Sequence, residues 1–444
     1  MVGQMMSLEE IRKANLFRVI YLGICFMVLF TAYFAGQNLM TQIYKQLGYN
    51  SLGAICFFFI IATFGLVSVL ASHYYKMISA RTGIIYGGAA YVGFIFAGAL
   101  ATYCYKYESN TYFCSTPFLY SFNIITAMIL GTGSAFLWLC QSTYINACAD
   151  EQTRGTYSGI FESIFQVSQI LSGVIATVVL GYLDQFSFYV ILVLFGVVFV
   201  VMSSFIKHPV EYTDVKEHPA IENRSTLRES LKVFYDTLVA EKYRFLYTSV
   251  IFSGVAMSFC FSYLGTAVTM TVNSDDENVI NSRTGVVFIM LAIGEILSGF
   301  TMGRFADKYD KIKLLGVCMM ILEGGLLLTF FAMLLKNYSF AIICGALWGY
   351  GDTAMATLLS VIIGSKFNAS PQVFSVYRFL ANVSGSLSIA TTIIVPKSTP
   401  MLLIMIIAGA LLSCQTLFYQ NLKKCDPKIN EREERLLIEL KNLA

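Results

Sequence analysis

Five ionisable side chains, Glu162, Glu295, Glu323, Asp352 and Arg378, fall well inside long apolar stretches of this chain. Each costs about 2.5–3.5 kcal/mol at the centre of a membrane helix on insertion scales, so such groups face a bundle interior or a wet cavity, or pair with one another. All three histidines (His73, His208 and His218) lie in loops or near the ends of the stretches, so an internal proton relay would use carboxylates. Asp352 and Arg378 sit on successive stretches about a helical turn apart in depth, and the expectation is an intramembrane ion pair. Trp138 and Gln141 lie one turn apart behind Gly131 and Gly133, while Trp348 follows Gly345. Glycines let such helices approach closely, so both tryptophans read first as packing residues. A buried amide needs hydrogen-bond partners, which singles out Gln141.

The stretches that carry these residues occur as two sets of six. The first set is near Leu16–Gln37, Ser51–Ser72, Gly83–Tyr105, Pro117–Thr143, Tyr157–Leu183 and Phe186–Ile206. The second is near Phe245–Val272, Thr284–Gly303, Leu314–Leu335, Tyr338–Gly364, Gln372–Val395 and Met401–Gln420. About twenty apolar residues cross the hydrocarbon of a bilayer. With 57% hydrophobic and 13% charged residues, the 444-residue chain lies far outside the soluble range. The fold class expected is therefore an all-α integral membrane protein of twelve transmembrane helices in two pseudo-symmetric halves. The division is residues 1–206, a linker at 207–244, residues 245–420 and a tail at 421–444.

The halves also align residue by residue. Gly159–Ser172 lies without gaps over Ser375–Ser388, which sets Glu162 over Arg378, Gln166 over Asn382, Ser168 over Ser384 and Ser172 over Ser388. A duplicated six-helix unit with substrate at the interface of its halves is how many secondary transporters are built. Glu162, Glu295, Arg378, Gln141, Trp138, Gln166 and Asn382 are accordingly the candidates for substrate binding or ion coupling.

Basic residues set an expected orientation. With the N-terminus cytoplasmic, the inside loops hold Lys76, Arg81, Arg154, the basic linker, Arg304, Lys308, Lys311, Lys313 and Lys366. The outside loops hold Lys45, Lys106, Arg283, Lys336 and Lys397, at most one each. This follows the positive-inside rule and puts both termini in the cytoplasm, without saying which membrane. The first stretch reads as an anchor, being too long for a signal core.

Most of the 11 cysteines lie in the stretches and serve as small apolar residues. Cys104 and Cys114 flank one outside loop and are either bridged or free. The sequons at Asn223, Asn368 and Asn382 fall inside the cell or membrane and Asn337 sits against the bilayer, so little glycosylation is expected. Two capping boxes, Ser7–Glu10 and Thr226–Glu229, open short helices. In the second, Leu227, Leu231, Phe234 and Leu238 follow at helical spacing and predict an amphipathic helix on the cytoplasmic surface that links the halves, a structural bridge before a docking surface for a partner. The tail from Asn430 to Leu443 reads as a short solvated helix.

One loop carries a recognisable signature. Gly303-Arg-Phe-Ala-Asp307-Lys308-Tyr-Asp-Lys311 resembles the major facilitator superfamily pattern G-x-x-x-D-[RK]-x-G-[RK], with Asp310 replacing the second glycine. The matching loop of the first half, Ser72–Arg81, keeps basic ends and has no acid. In the superfamily this loop steadies one end of an alternating-access cycle, so its loss in one half counts against transport.

A narrower resemblance rests on Tyr49-Asn-Ser-Leu52, on Gly131-Thr-Gly-Ser-Ala-Phe-Leu-Trp138-Leu-Cys-Gln141-Ser-Thr-Tyr144 and on Arg154–Phe161. This order is similar to the Unc-ninety-three family, a divergent branch of that superfamily, most clearly over residues 30–175. The resemblance implies twelve spans, with the fifth, eighth and eleventh bordering a central cavity and bringing Glu162, Glu295 and Arg378 around it. The peripheral ninth span would make Glu323 a structural hydrogen-bonder. It also implies a choice of roles: a transporter of a small solute, a regulatory subunit of a potassium channel, or a trafficking companion of membrane receptors. The expected partners are thus the lipid bilayer and either a small solute or a membrane protein. No nucleophile–base arrangement, phosphate loop or Cys/His metal spacing points to an enzyme, a cofactor or a metal, and no motif points to nucleic acid.

Overall fold

The computed structural model describes residues 7–49, 52–75, 77–108, 111–210, 226–272, 277–395 and 399–425. The first half holds α1 (Leu8–Gln46), α2 (Leu52–Tyr75), α3 (Ala80–Lys106), α4 (Thr116–Cys148), α5 (Arg154–Tyr182) and α6 (Gln185–Ser203). A linker helix, α7 (Leu227–Val239), follows. The second half holds α8 (Arg244–Thr269), α9 (Glu277–Lys308), α10 (Lys311–Leu334), α11 (Tyr338–Lys366), α12 (Pro371–Ile394) and α13 (Pro400–Cys425). Asn50, Ser51, Lys76, the linker residues 211–225 with Asn223, Lys397 and the tail helix at 430–443 lie outside the described residues.

Ten of these helices are long and apolar enough to cross a membrane by themselves, and α8, bent by 42° between Cys260 and Ser262, makes an eleventh. The twelfth long helix is α12. Gln372, Arg378, Asn382 and four serines make it too polar to pass on composition, so it is held in place by its neighbours.

Within each half the same pairs touch: α1 with α5 and α6, α3 with α4 and α6, α2 with α4, and correspondingly α8 with α12 and α13, α10 with α11 and α13, α9 with α11. Two seams join the halves, α5 against α9 and α2 against α12. Buried side chains form one large apolar core per half, around Phe26, Phe161 and Phe199 in the first and Phe252, Phe259 and Trp348 in the second.

Helix ends follow local chemistry. Ser7 and Glu10 exchange the bonds of a capping box, as do Thr226 and Glu229 at α7. Asp310, in the place of the signature's second glycine, caps α10 by accepting from the amides of Ile312 and Lys313, each at 2.9 Å. A disulfide joins Cys104 to Cys114.

Helix α7 touches both halves, through α2 and α12. Phe234 is buried, but Leu227 and Leu231 are exposed, because α7 docks on α2 and α12 and turns only part of its apolar stripe inward. The start of the linker is pinned as well. The Asn15 side chain exchanges hydrogen bonds with the Val210 backbone at 2.8 and 2.9 Å, and the Tyr144 hydroxyl donates to the Lys207 carbonyl at 2.5 Å.

Candidate functional site

The α5–α9 seam is a crossing of glycines. Gly155 and Gly159 on α5 meet Gly299 and Gly303 on α9, and a Cβ on Gly159 would lie 2.9 Å from the Gly303 Cα and collide with the Gly299 carbonyl oxygen. Small residues four apart on both helices let the backbones touch. Ser163 then reaches across and donates to the Ile296 carbonyl at 3.0 Å.

This close seam sets the acids of the two halves near one another. Glu295 of α9 is fully buried, and neither of its carboxylate oxygens has a hydrogen-bond partner among the described residues. Asp352 on α11 and Glu162 on α5 lie within electrostatic reach of it, and Arg378 of α12 and Asp352 lie within reach of Glu162. Glu162, Asp352 and Arg378 are half-buried. Gln166, one turn beyond Glu162, points its nitrogen at the Thr353 hydroxyl of α11 at 3.5 Å, and its buried oxygen has no partner among the described residues.

Asp352 and Arg378 do not form the expected ion pair. The Arg378 guanidinium carbon lies 5.0 Å from the centre of the Trp138 ring and 4.8 Å from that of Tyr377, and its buried Nε has no hydrogen-bond partner among the described residues. The reason is topological. Helix α12 packs on α8 and α2, α11 packs on α9 and α10, and the two scarcely touch although they are consecutive. Arg378 therefore reaches into the first half. There Trp138 sits among Phe26, Phe30 and Phe165 with ring centres 5.3–5.8 Å apart. A guanidinium over an indole face contributes about 0.5–2 kcal/mol, more as water is excluded. Trp348 behaves otherwise: it is buried in its own half and donates to Thr329 at 3.1 Å.

The other candidates face local partners. Gln141 is buried and accepts from the adjacent Ser142 hydroxyl at 3.1 Å. The Asn382 amide donates to the Arg378 carbonyl at 2.7 Å. Glu323 is half-buried, and with the Gln415 amide turned so that its nitrogen faces the acid, it accepts bonds of 3.1 and 3.2 Å between α10 and α13.

The loop signature joins the halves. Asp307 accepts from the Gly155 amide at 2.6 Å, the Thr156 amide at 2.7 Å and the Thr156 hydroxyl at 2.6 Å. An acid from α9 thereby caps the first turn of α5, where free amides and the helix dipole favour negative charge. Gly303 makes the approach sterically possible; Lys308 is exposed and Lys311 half-buried. Nearby, Asp150 bonds Arg12 at 2.6 Å. Burial opposes its charge, but hydrogen bonds from Thr153 and Arg12 hold its carboxyl below the usual range. The acceptor role of Asp307 toward α5 had a signal in the sequence: Gly155/Gly159 and Gly299/Gly303 share one spacing. The approach of Arg378 to Trp138 had none.

The family model described as Major Facilitator Superfamily matches residues 109–389, more than half of the chain. The chain belongs to the major facilitator superfamily. Among curated relatives, the UNC93-like protein MFSD11 of Xenopus laevis is 23% identical over 428 residues, covering 85% of this chain and 90% of that one, which supports an Unc-93-like branch of the superfamily. Solved structures share the fold. A bacterial homologue of the iron transporter ferroportin in an outward-facing state gives a TM-score of 0.69 at 12% identity, over 92% of this chain and 99% of that one. The E. coli fucose:proton symporter FucP gives 0.65 at 13% identity, over 92% and 99%. The superfamily fold thus holds from end to end across very little shared sequence, and the chain is an integral, multi-pass membrane protein.

Proposed function

We propose that this protein is a secondary transporter that moves a small solute by alternating access between halves at residues 1–206 and 245–420. The observation that carries the reading is Glu295: a fully buried carboxyl at the seam of the halves, with no hydrogen-bond partner among the described residues. An unsatisfied acid inside a membrane bundle marks a proton, ion or substrate path rather than a packing role. Glu162 and Glu295 are the coupling groups in this reading. Arg378 and Trp138 form a contact between halves that breaks and remakes as they rock, and Gln166, Gln141 and Asn382 supply polar lining. The likeness to a fucose:proton symporter supports proton coupling. The basic loops support a cytoplasmic linker and cytoplasmic termini, and labelling of an introduced linker cysteine from outside intact cells would reverse that assignment.

The test is isotope flux through reconstituted protein, screened across small solutes and run beside a pull-down for membrane-protein partners. Glu162→Gln and Glu295→Gln should each leave folding intact and abolish proton-driven uptake, with solute exchange preserved. A wild-type protein that carries no flux and co-purifies stoichiometrically with a channel or receptor would replace transport with an accessory role. If uptake is found and neither variant uncouples it from protons, the acids are not the coupling groups.

A further inference from the structure

The two seams have their ends on the face that bears the linker, and only one of them has the acid. At α9, Asp307 caps the first turn of α5. At α2, the corresponding loop Ser72–Arg81 has no carboxylate, and α12, the counterpart of α5, begins with Ser370 and Pro371 and has no side-chain cap. Helix α7 lies across this second seam. The His73 ring on α2 shares a 2.7 Å hydrogen bond with the Ser230 hydroxyl on α7. Phe234 of α7 is buried with Val376 of α12 and Tyr247 of α8, beside Val69 of α2, and its ring stands edge-on to Phe379 at 5.7 Å. The Tyr247 hydroxyl closes the far end by donating to the Thr237 carbonyl at 2.6 Å.

We propose that α7 is a latch that replaces the missing acid, tying α2 to α12 where Asp307 ties α9 to α5. To open the linker face, α2 and α12 must part, and a helix bound to both must leave one of them. Leaving α12 exposes the Phe234 ring, and leaving α2 separates His73 from Ser230, so this seam is held by the contacts of α7 and the other by the charge-assisted hydrogen bonds of Asp307. The linker is then a moving part of the cycle, beyond its role as a tether. This inference rests on the alternating-access reading above, but it is tested without a solute.

The experiment uses full-length protein in lipid nanodiscs, with Cys414 and Cys425 replaced by serine and spin labels at Met77→Cys and Lys366→Cys, at the linker-face ends of α2 and α11. Phe234→Ala should raise the population of separated ends by about tenfold, as a loss of closed-state stabilisation of this kind predicts, while Phe234→Leu should move it little. Asp307→Asn serves as the benchmark for the other seam. In a second variant, His73→Ala removes the bond to Ser230 and should also raise the separated population, by less than Phe234→Ala. Distances in Phe234→Ala and His73→Ala that match wild type while Asp307→Asn widens them would overturn the latch. Shifted distances in a protein that carries no solute would keep the latch and remove the transport reading; flux with unshifted distances would do the reverse.

Discussion

Along α5 and α9, Gly155, Gly159, Gly299 and Gly303 bring backbone against backbone, and Asp307 fastens the end of the contact with three hydrogen bonds. Along α2 and α12, a Cβ on Gly65 would lie 3.6 Å from the Asn382 Cβ, ordinary van der Waals distance. There a third helix covers the end of the seam. The pseudo-symmetric halves therefore meet through two unlike joints. Repeated helices fix where a contact must be made, and they leave open whether glycines, an acid or an added helix makes it.

Leucine substitution at the glycine crossing would break this comparison most directly. Gly159→Leu places a side chain against the backbone of Gly299 and Gly303, which has no flexible end to yield. A loss of about 3 kcal/mol or more is expected, read as a collapse of detergent thermostability. Gly65→Ala at the other seam should stay within about 0.5 kcal/mol of wild type. Equal losses at the two positions would mean that the seams are not different in kind.

Removing the acid comes next in size. Asp307→Asn leaves an oxygen and a donor where two anionic oxygens accepted three bonds, and a destabilisation of about 1–3 kcal/mol is expected in the same assay. Thr156→Val should account for part of it, because the hydroxyl bond alone is removed. If Asp307→Asn melts like wild type, the cap on α5 contributes no stability and the signature acid has another purpose.

The smallest effects separate two readings of Arg378. A double-mutant cycle on Asp352→Asn and Arg378→Gln should give a coupling below about 0.5 kcal/mol, since the two do not touch. The cycle pairing Trp138→Leu with Arg378→Gln should give about 0.5–2 kcal/mol, the range of a cation over an indole face. A large coupling in the first cycle would restore the ion pair that neighbouring sequence positions suggest.

Part of the candidate site was legible from residue types. Glu162, Glu295 and Arg378 stood out because charge inside an apolar stretch is costly, and the structure brings them to the α5, α9 and α12 faces where the halves meet. The repeat set Glu162 over Arg378, and the two lie within electrostatic reach of each other although Arg378 stands over Trp138 of the other half. Asp352 was assigned a partner from adjacency along the chain. Adjacency misleads in a bundle where α11 and α12 are consecutive and scarcely in contact.

What the sequence determined alone is what local chemistry and the bilayer dictate. Apolar length sets the spans, internal likeness sets the two halves, and hydroxyl-to-carboxylate spacing sets the capped starts of α1 and α7. None of these depends on which helix lies beside which. The tertiary structure decided the rest: that Asp307 serves α5, that Arg378 reaches Trp138, and that α7 docks on the seam lacking an acid. Each of these joins residues more than a hundred positions apart. A membrane helix satisfies its own backbone hydrogen bonds, so its hydropathy records that it spans and says nothing of its neighbours. Those are chosen by glycines, single polar groups and the shapes of facing sides, which acquire meaning only once the helices are packed.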